Sequence, residues 1–260
     1  MNTSQARDAE LSQINPQKHT DADKARFSDY ANYFEGSPLP TSLKLSNFAK
    51  YIRRQDLSRF LAKNELFKLQ IDVPGVIVEC GCYAGGGLMT YAQLSSIYEP
   101  YNHQRRIYGF DTFEGFPSTS EKDANADSAT AKGDLYVHQN IIEEVQDSIR
   151  IHDGNRALSH IPKTELVVGD AGITIPKFIR DNPHVVVSLL YLDFDLYEPT
   201  KVALQHFVDR MPKGAILAFD EINAHKYPGE TLALLECIGI KNLLLKKTPF
   251  DPYIAYAVIA

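Results

Sequence analysis

Between about Phe27 and Gln70 the apolar positions recur at helical spacing, with Phe48, Tyr51, Ile52, Phe60, Leu61, Leu66, Phe67 and Leu69 marking the stripe. The pattern predicts two or three helices. Beyond Gln70 the period changes, and short continuous apolar runs alternate with helical stretches. Strands are predicted at Val76–Cys80, Arg106–Asp111, Leu166–Gly169, Val186–Phe194, Ala215–Asp220, Leu243–Lys246 and Ile254–Ile259. Helices are expected at Leu88–Tyr98, Thr174–Asp181, Pro199–Arg210 and Gly229–Cys237. Strands that are apolar throughout and separated by helices are buried on both faces. The fold class is therefore α/β: a seven-stranded, mainly parallel sheet with helices on both faces and an N-terminal helical extension. Residues 1–70 form a flexible N-terminus plus that extension, and residues 71–260 the main domain. No internal repeat is visible.

One stretch breaks the rhythm. Ser118 to Gly133 is rich in Ser, Asp, Ala and Lys and has no apolar period. A long loop inside a compact domain is often a lid, and plain disorder is the competing explanation. The segment 114–135 is the candidate lid, with Tyr136–Ile149 a helix that anchors it.

Composition narrows the class of protein. A length of 260 residues suits one α/β domain with an accessory segment, and 44% hydrophobic content is ordinary. The net charge of −6 argues against a nucleic-acid partner. Met1 to Asp21 has no apolar signal region, and no apolar run approaches the roughly 18 residues of a membrane span. A soluble, cytoplasmic protein with no membrane partner is expected. Cys80, Cys82 and Cys237 lack zinc-ligand spacing and read as reduced thiols.

The candidate chemistry lies where strands end. The first strand runs into Glu79-Cys80-Gly81-Cys82-Tyr83-Ala84-Gly85-Gly86-Gly87, a turn that lets a ligand approach the backbone. Tyr83 stands where a dinucleotide fingerprint needs its second glycine, which disfavours a nicotinamide dehydrogenase. Glu79 points to a cation or an amine. Asp111 suits ribose hydroxyls, and Asp170 an adenine edge. Together with Gly81, Cys82, Tyr83, Gly85, Thr112, Phe113 and Ala171 they outline a nucleoside-type cofactor site, with Asp193 beside it.

Two further strands finish in acids, Asp193-Phe194-Asp195 and Asp220-Glu221. Alternate strand residues share a face, so Asp193 and Asp195 are expected to point to one side, with Asp220 about 5 Å away if the strands are neighbours. Asp193, Asp220 and Glu221 then suit one hard cation such as magnesium. The plainer explanation is that these acids cap the following helices. A nearby carboxylate, Asp195, can take a proton from a hydroxyl, with His225 as rival base. Arg156 either meets a nucleotide-sugar phosphate or forms a structural salt bridge.

Three separated motifs resemble one family. Glu79-Cys80-Gly81, the run Gly109 to Pro117, and Leu192-Asp193-Phe194-Asp195-Leu196-Tyr197-Glu198-Pro199-Thr200 are similar to the macrocin/mycinamicin/novobiocin sugar O-methyltransferases, from about Val73 to Glu230. The resemblance implies a class I methyltransferase (Rossmann-like) fold, S-adenosylmethionine as cofactor and a Mg2+-dependent transfer. It implies that Glu79, Gly81, Asp111 and Asp170 line the cofactor, that Asp193 is a metal ligand, and that Asp195 is the proton acceptor. The family often has paired aspartates where this chain has Asp220-Glu221. The expected substrate is a sugar or nucleotide sugar, with a catechol-like phenol as alternative acceptor. A non-catalytic nucleoside- and metal-binding module is the reading from another class. The N-terminal helices either pair two subunits or cover one sheet edge.

Overall fold

The structure, a computed structural model, describes residues 21–124 and 130–260, with side chains from residue 29 onward. The expected flexible terminus before residue 21 and the middle of the candidate lid, residues 125–129, lie outside the described residues. The chain divides into two compact units, one ending at Arg59 and one beginning at Phe60.

In the first unit, α1 (Asp21–Gly36) and α2 (Thr41–Ser46) precede a 3-10 turn at Phe48–Lys50. Lys44 is buried and donates to the Phe34 carbonyl, with its ammonium 4.6 Å from the Phe34 ring centroid. The Tyr33 and Tyr51 rings stack at 5.4 Å. Tyr30, Leu43, Leu45 and Phe48 are exposed.

Helix α3 (Arg54–Gln70) leads into the second unit. Its buried positions Ala62, Lys63, Leu66, Phe67 and Gln70 follow the three- and four-residue spacing of one helix face. There follow β1 (Val76–Cys80), α4 (Gly86–Tyr98), β2 (Ile107–Asp111), α5 (Ile141–Gly154), β3 (Thr164–Val168), α6 (Ala171–Asp181), β4 (Val187–Leu192), α7 (Tyr197–Phe207), β5 (Ile216–Phe219), α8 (Gly229–Cys237), β6 (Lys246–Lys247) and β7 (Ala255–Val258). The seven strands form one sheet in the order β3-β2-β1-β4-β5-β7-β6. β1 to β5 are parallel, and β7 runs antiparallel to both β5 and β6. Every residue of β1, β4 and β5 is buried, as continuous apolar runs require.

Side chains alternate between two cores. Val76, Val78 and Cys80 join one with Phe178, Leu204 and Phe207. Ile77 joins the other with Leu66, Phe67, Tyr91 and Tyr191. The order changes direction at β1, with β2 on one side and β4 on the other, so a crevice opens at the carboxyl ends of these strands. Asp111, Asp193 and Asp195 lie at or just beyond those ends, Asp170 and Asp220-Glu221 just beyond β3 and β5, and Glu79 inside β1, one residue before its end.

One boundary differs in a way that matters. Strand β4 stops at Leu192, not Phe194: the bond from the Asp193 N–H to the Cys80 carbonyl (2.7 Å) is the last rung of its ladder with β1, and the chain leaves the sheet after it. Asp193 and Asp195 therefore do not share a strand face. They occupy a sharp turn, with Asp195 left-handed at φ 61°. Strand β6 is also shorter and later than its apolar run suggests, at Lys246–Lys247.

Candidate active site

Left-handed backbone is uncommon outside glycine, and it collects at this crevice. Tyr83 (φ 50°) follows β1, Phe113 (φ 58°) follows β2, Asp195 follows β4, and Asn223 (φ 63°) follows β5. Such conformations persist only where surrounding contacts enforce them.

The contacts are specific. Gly81 has φ 91°, and a Cβ there would lie 1.9 Å from the Asp193 carbonyl oxygen. Only glycine lets the turn after β1 press against the loop after β4. Asp111 then organises that turn. Its Oδ2 accepts from the N–H groups of Cys82 (2.7 Å) and Tyr83 (2.8 Å), and its Oδ1 from that of Phe113 (2.7 Å). In this structure the carboxylate that the sequence suggests for ribose is thus already holding three amides. Oδ1 accepts one N–H and so keeps a lone pair for a ligand. Thr112 ties its own turn, donating to the Gly115 carbonyl at 2.8 Å. Gly85, at φ 80°, is pressed against Val145 of α5 and precedes the first residue of α4. Asp170 is exposed and caps α6, accepting from Gly172 N–H at 2.7 Å, and Ala171 is the first residue of that helix. Helix α6 begins three residues before the sequence pattern suggests, because the cap satisfies its first turn.

Glu79 is 1% exposed and sits directly beneath α4, where a Cβ on Gly87 would fall 2.0 Å from its Oε1. Its expected cationic partner comes from within the chain. Lys63 of α3, 5% exposed, donates to Oε1 at 2.8 Å. The Glu79 Oε2 has no hydrogen-bond partner among the described residues. Burial raises the Glu79 carboxyl, and the Lys63 charge opposes that rise without cancelling it. The same ammonium lies 3.4 Å from the Tyr191 ring centroid. The Tyr191 hydroxyl donates to Asp220 Oδ1, so a polar line crosses β1, β4 and β5 below the crevice. Sequence reasoning missed Lys63. The available signal was its place on the apolar face of α3, four residues before Phe67 and seven before Gln70.

Around β4 and β5, Asp195 and Asp220 are buried, whereas Asp193 and Glu221 are half-buried. Burial, and then the charges of Asp220, Asp195, Glu230 and Asp193, push the Glu221 carboxyl up to about 10. Glu230, which the sequence reading passed over, is wholly buried and its carboxyl is raised for the same two reasons. Its Oε1 accepts from Asp195 N–H at 3.3 Å, and its Oε2 from Glu221 N–H at 3.2 Å. Among the described residues, no three His, Cys, Asp or Glu side chains are gathered closely enough to hold a metal ion. The acids therefore share a field without forming a ready-made triad.

His225 is exposed on the loop between β5 and α8. Arg156 is committed to structure: it donates to Asp153 (2.6 Å) and to the carbonyls of Ala157, Leu158 and Ile161. Cys80 and Cys82 are buried free thiols whose ionisation burial suppresses.

The strand order with its one antiparallel strand, and the crevice beyond β1, β2 and β4, define a class I methyltransferase fold. The chain matches the macrocin O-methyltransferase (TylF) family over residues 53–233, and it belongs to that family. It is similar to the crystal structure of CalS11, a calicheamicin methyltransferase, at 34% identity over 92% of this chain and 93% of that one, with a TM-score of 0.88. An apo structure of CalS11, described as a TDP-rhamnose 3'-O-methyltransferase, matches at 31% identity over 95% of this chain and 98% of that one, with a TM-score of 0.80. A curated relative, the 8-demethyl-8-(2,3-dimethoxy-alpha-L-rhamnosyl)-tetracenomycin-C 4'-O-methyltransferase of Streptomyces olivaceus, is 24% identical over 57% of this chain. The match spans about half of that relative's length, 53%.

Proposed function

We propose that this protein transfers a methyl group from S-adenosylmethionine to a hydroxyl of a deoxysugar, nucleotide-linked or on a larger natural product, in a magnesium-dependent reaction. The observation that carries the reading is the set of acids at the ends of β4 and β5, pressed through Gly81 against the turn after β1. The names of the relatives support a rhamnose-type acceptor.

The residues at β1 and β2 fit the cofactor. Gly86, where an added Cβ would meet nothing within 4 Å, leaves the backbone open beside the turn, and the remaining acceptor capacity of Asp111 offers a hydrogen-bond acceptor. When bound, S-adenosylmethionine supplies a methyl group on a positively charged sulfur. The chain's own task is to place a hydroxyl in line with that methyl and to remove its proton. Asp195 is buried, held by its backbone, and takes the proton. His225, exposed on the loop after β5, is the rival base.

Asp193, Asp220 and Glu221 offer the oxygen donors that magnesium takes; burial first and the neighbouring carboxylates second raise Glu221, and a divalent cation would offset the second of these. When bound, the ion lowers the cost of ionising the acceptor hydroxyl. The exposed Tyr30, Leu43, Leu45 and Phe48 support pairing of two subunits through the N-terminal helices.

The test is turnover on nucleotide-linked deoxysugars after exhaustive chelation and after readdition of magnesium. Loss and recovery are expected. Full activity in excess chelator defeats the magnesium requirement, and absence of transfer to any deoxysugar defeats the substrate reading.

A further inference from the structure

The turn that carries Asp195 is gripped from two sides by carboxylates of distant elements. Glu230, in the first turn of α8, accepts the Asp195 N–H. Asp123 belongs to the short 3-10 turn Glu121–Asp123 in the long loop after β2. It is 2% exposed, and its Oδ1 accepts the Tyr197 N–H at 2.6 Å. The other oxygen of Asp123 is engaged by Ser120, through its N–H and its hydroxyl, each at 2.7 Å. The donors at Asp195 and Tyr197 bracket Leu196, so the two carboxylates fix the backbone on both sides of one residue.

A third observation locks the pair together. Gly229 precedes Glu230, and a Cβ on it would lie 2.4 Å from the Tyr197 nitrogen and 2.7 Å from Asp123 Oδ1. The start of α8 therefore touches both the loop carboxylate and the amide it holds. The other oxygen of Glu230 accepts the Glu221 N–H, so the loop after β5 is tied to the same point. Within this arrangement Asp195 adopts its left-handed conformation, which orients its side chain away from the course an extended strand would give it.

We infer that Glu230 and Asp123 form a two-carboxylate clamp on the Asp195–Tyr197 backbone and act as positioning residues for the Asp195 carboxylate. The inference deepens the reading of Asp195 as proton acceptor and rests on it. Both act on Asp195 through the backbone, and Glu230 holds the Glu221 amide as well. It also gives the loop after β2 a role in the chemistry through its ordered turn at Glu121–Asp123.

The experiment uses Glu230→Met and Asp123→Ala, which leave no side-chain acceptor, alone and in an Asp195→Asn background, in the full chain. Methyl transfer from S-adenosylmethionine to TDP-rhamnose is measured, together with amide hydrogen exchange at Asp195 and Tyr197. Each clamp variant is expected to lower kcat on the order of 10²-fold, the cost of about 1 Å of misplacement, with KM for S-adenosylmethionine within about twofold of wild type. The Asp195 amide loses protection in Glu230→Met, and the Tyr197 amide in Asp123→Ala. In the Asp195→Asn background neither substitution lowers kcat further, because the group being aimed is already gone. Equal losses in both backgrounds, or unchanged protection of both amides, overturn the clamp. Near-normal kcat in Asp195→Asn alone, or no turnover of TDP-rhamnose by the wild type, instead counts against the proton-acceptor or substrate reading. Hydrogen exchange then still decides the clamp.

Discussion

Replacing Lys63 by methionine gives the sharpest stability test of the polar line beneath the site. The substitution keeps an unbranched apolar stem and removes the ammonium that donates to Glu79 Oε1 at 2.8 Å. Both partners are almost fully buried, so solvent does little to replace the lost charge. Breaking such a pair costs about 3–5 kcal/mol when the remaining charge stays buried. Glu79 escapes by taking up a proton. Its carboxyl is already raised by burial, and removing Lys63 removes the influence that holds it down, so it rises further. An acid raised in the folded state contributes stability that is complete below its unfolded pKa and is lost as pH climbs through the folded one. The penalty in Lys63→Met should therefore be small in mild acid. It should grow by about 1.4 kcal/mol per pH unit across the range where wild-type Glu79 has ionised and the variant's has not. Urea unfolding from mildly acidic to mildly basic pH measures it. The double variant Lys63→Met/Glu79→Gln should lose this pH dependence and regain part of the stability. A penalty in Lys63→Met that is the same at every pH refutes the reasoning, because the loss would then be one of packing.

Two further substitutions test the turn geometry. Asp111→Asn keeps one acceptor oxygen for three amides and leaves an N–H facing the new amide group; given about 1.5–3 kcal/mol for a hydrogen bond to a charged acceptor, it should destabilise by roughly 2–3 kcal/mol and weaken S-adenosylmethionine binding in calorimetry. Unchanged stability and affinity would remove Asp111 from both roles. Gly81→Ala meets backbone at 1.9 Å at a positive φ, so it should prevent the turn from seating on the Asp193 loop and abolish cofactor binding even where folded protein is recovered. An alanine variant that binds S-adenosylmethionine normally would contradict this close approach.

The sheet was legible because its strands are continuous apolar runs, and the acids were legible because they interrupt those runs at the carboxyl ends. Phe194 extends the apolar pattern past the strand: the ladder ends with the Asp193 amide on Cys80, and the left-handed Asp195 that follows carries no mark in the pattern. Three residues of the network could not be weighted from sequence. Lys63 reads as an ordinary helix-surface lysine, Glu230 as a first-turn acid favoured by the helix dipole, and Asp123 as one of many polar residues in a loop without a period. Their burial is tertiary and follows from where α3, α8 and the loop after β2 are packed. The roles assigned to Asp111 and Asp170 rested on strand-end position and on the family resemblance, neither of which reveals that Asp111 already holds three amides or that Asp170 caps a helix.

The central claim is methyl transfer to a deoxysugar oxygen, and isotope tracing tests it most directly. The protein is incubated with magnesium, S-adenosylmethionine carrying a labelled methyl group, and a panel of TDP-linked deoxysugars, and the products are fragmented by mass spectrometry. The account predicts a labelled methyl ether on a sugar hydroxyl, formed by wild type and lost in Asp195→Asn. Binding of S-adenosylmethionine without label reaching any sugar, or label appearing only on a phenolic acceptor, would contradict it.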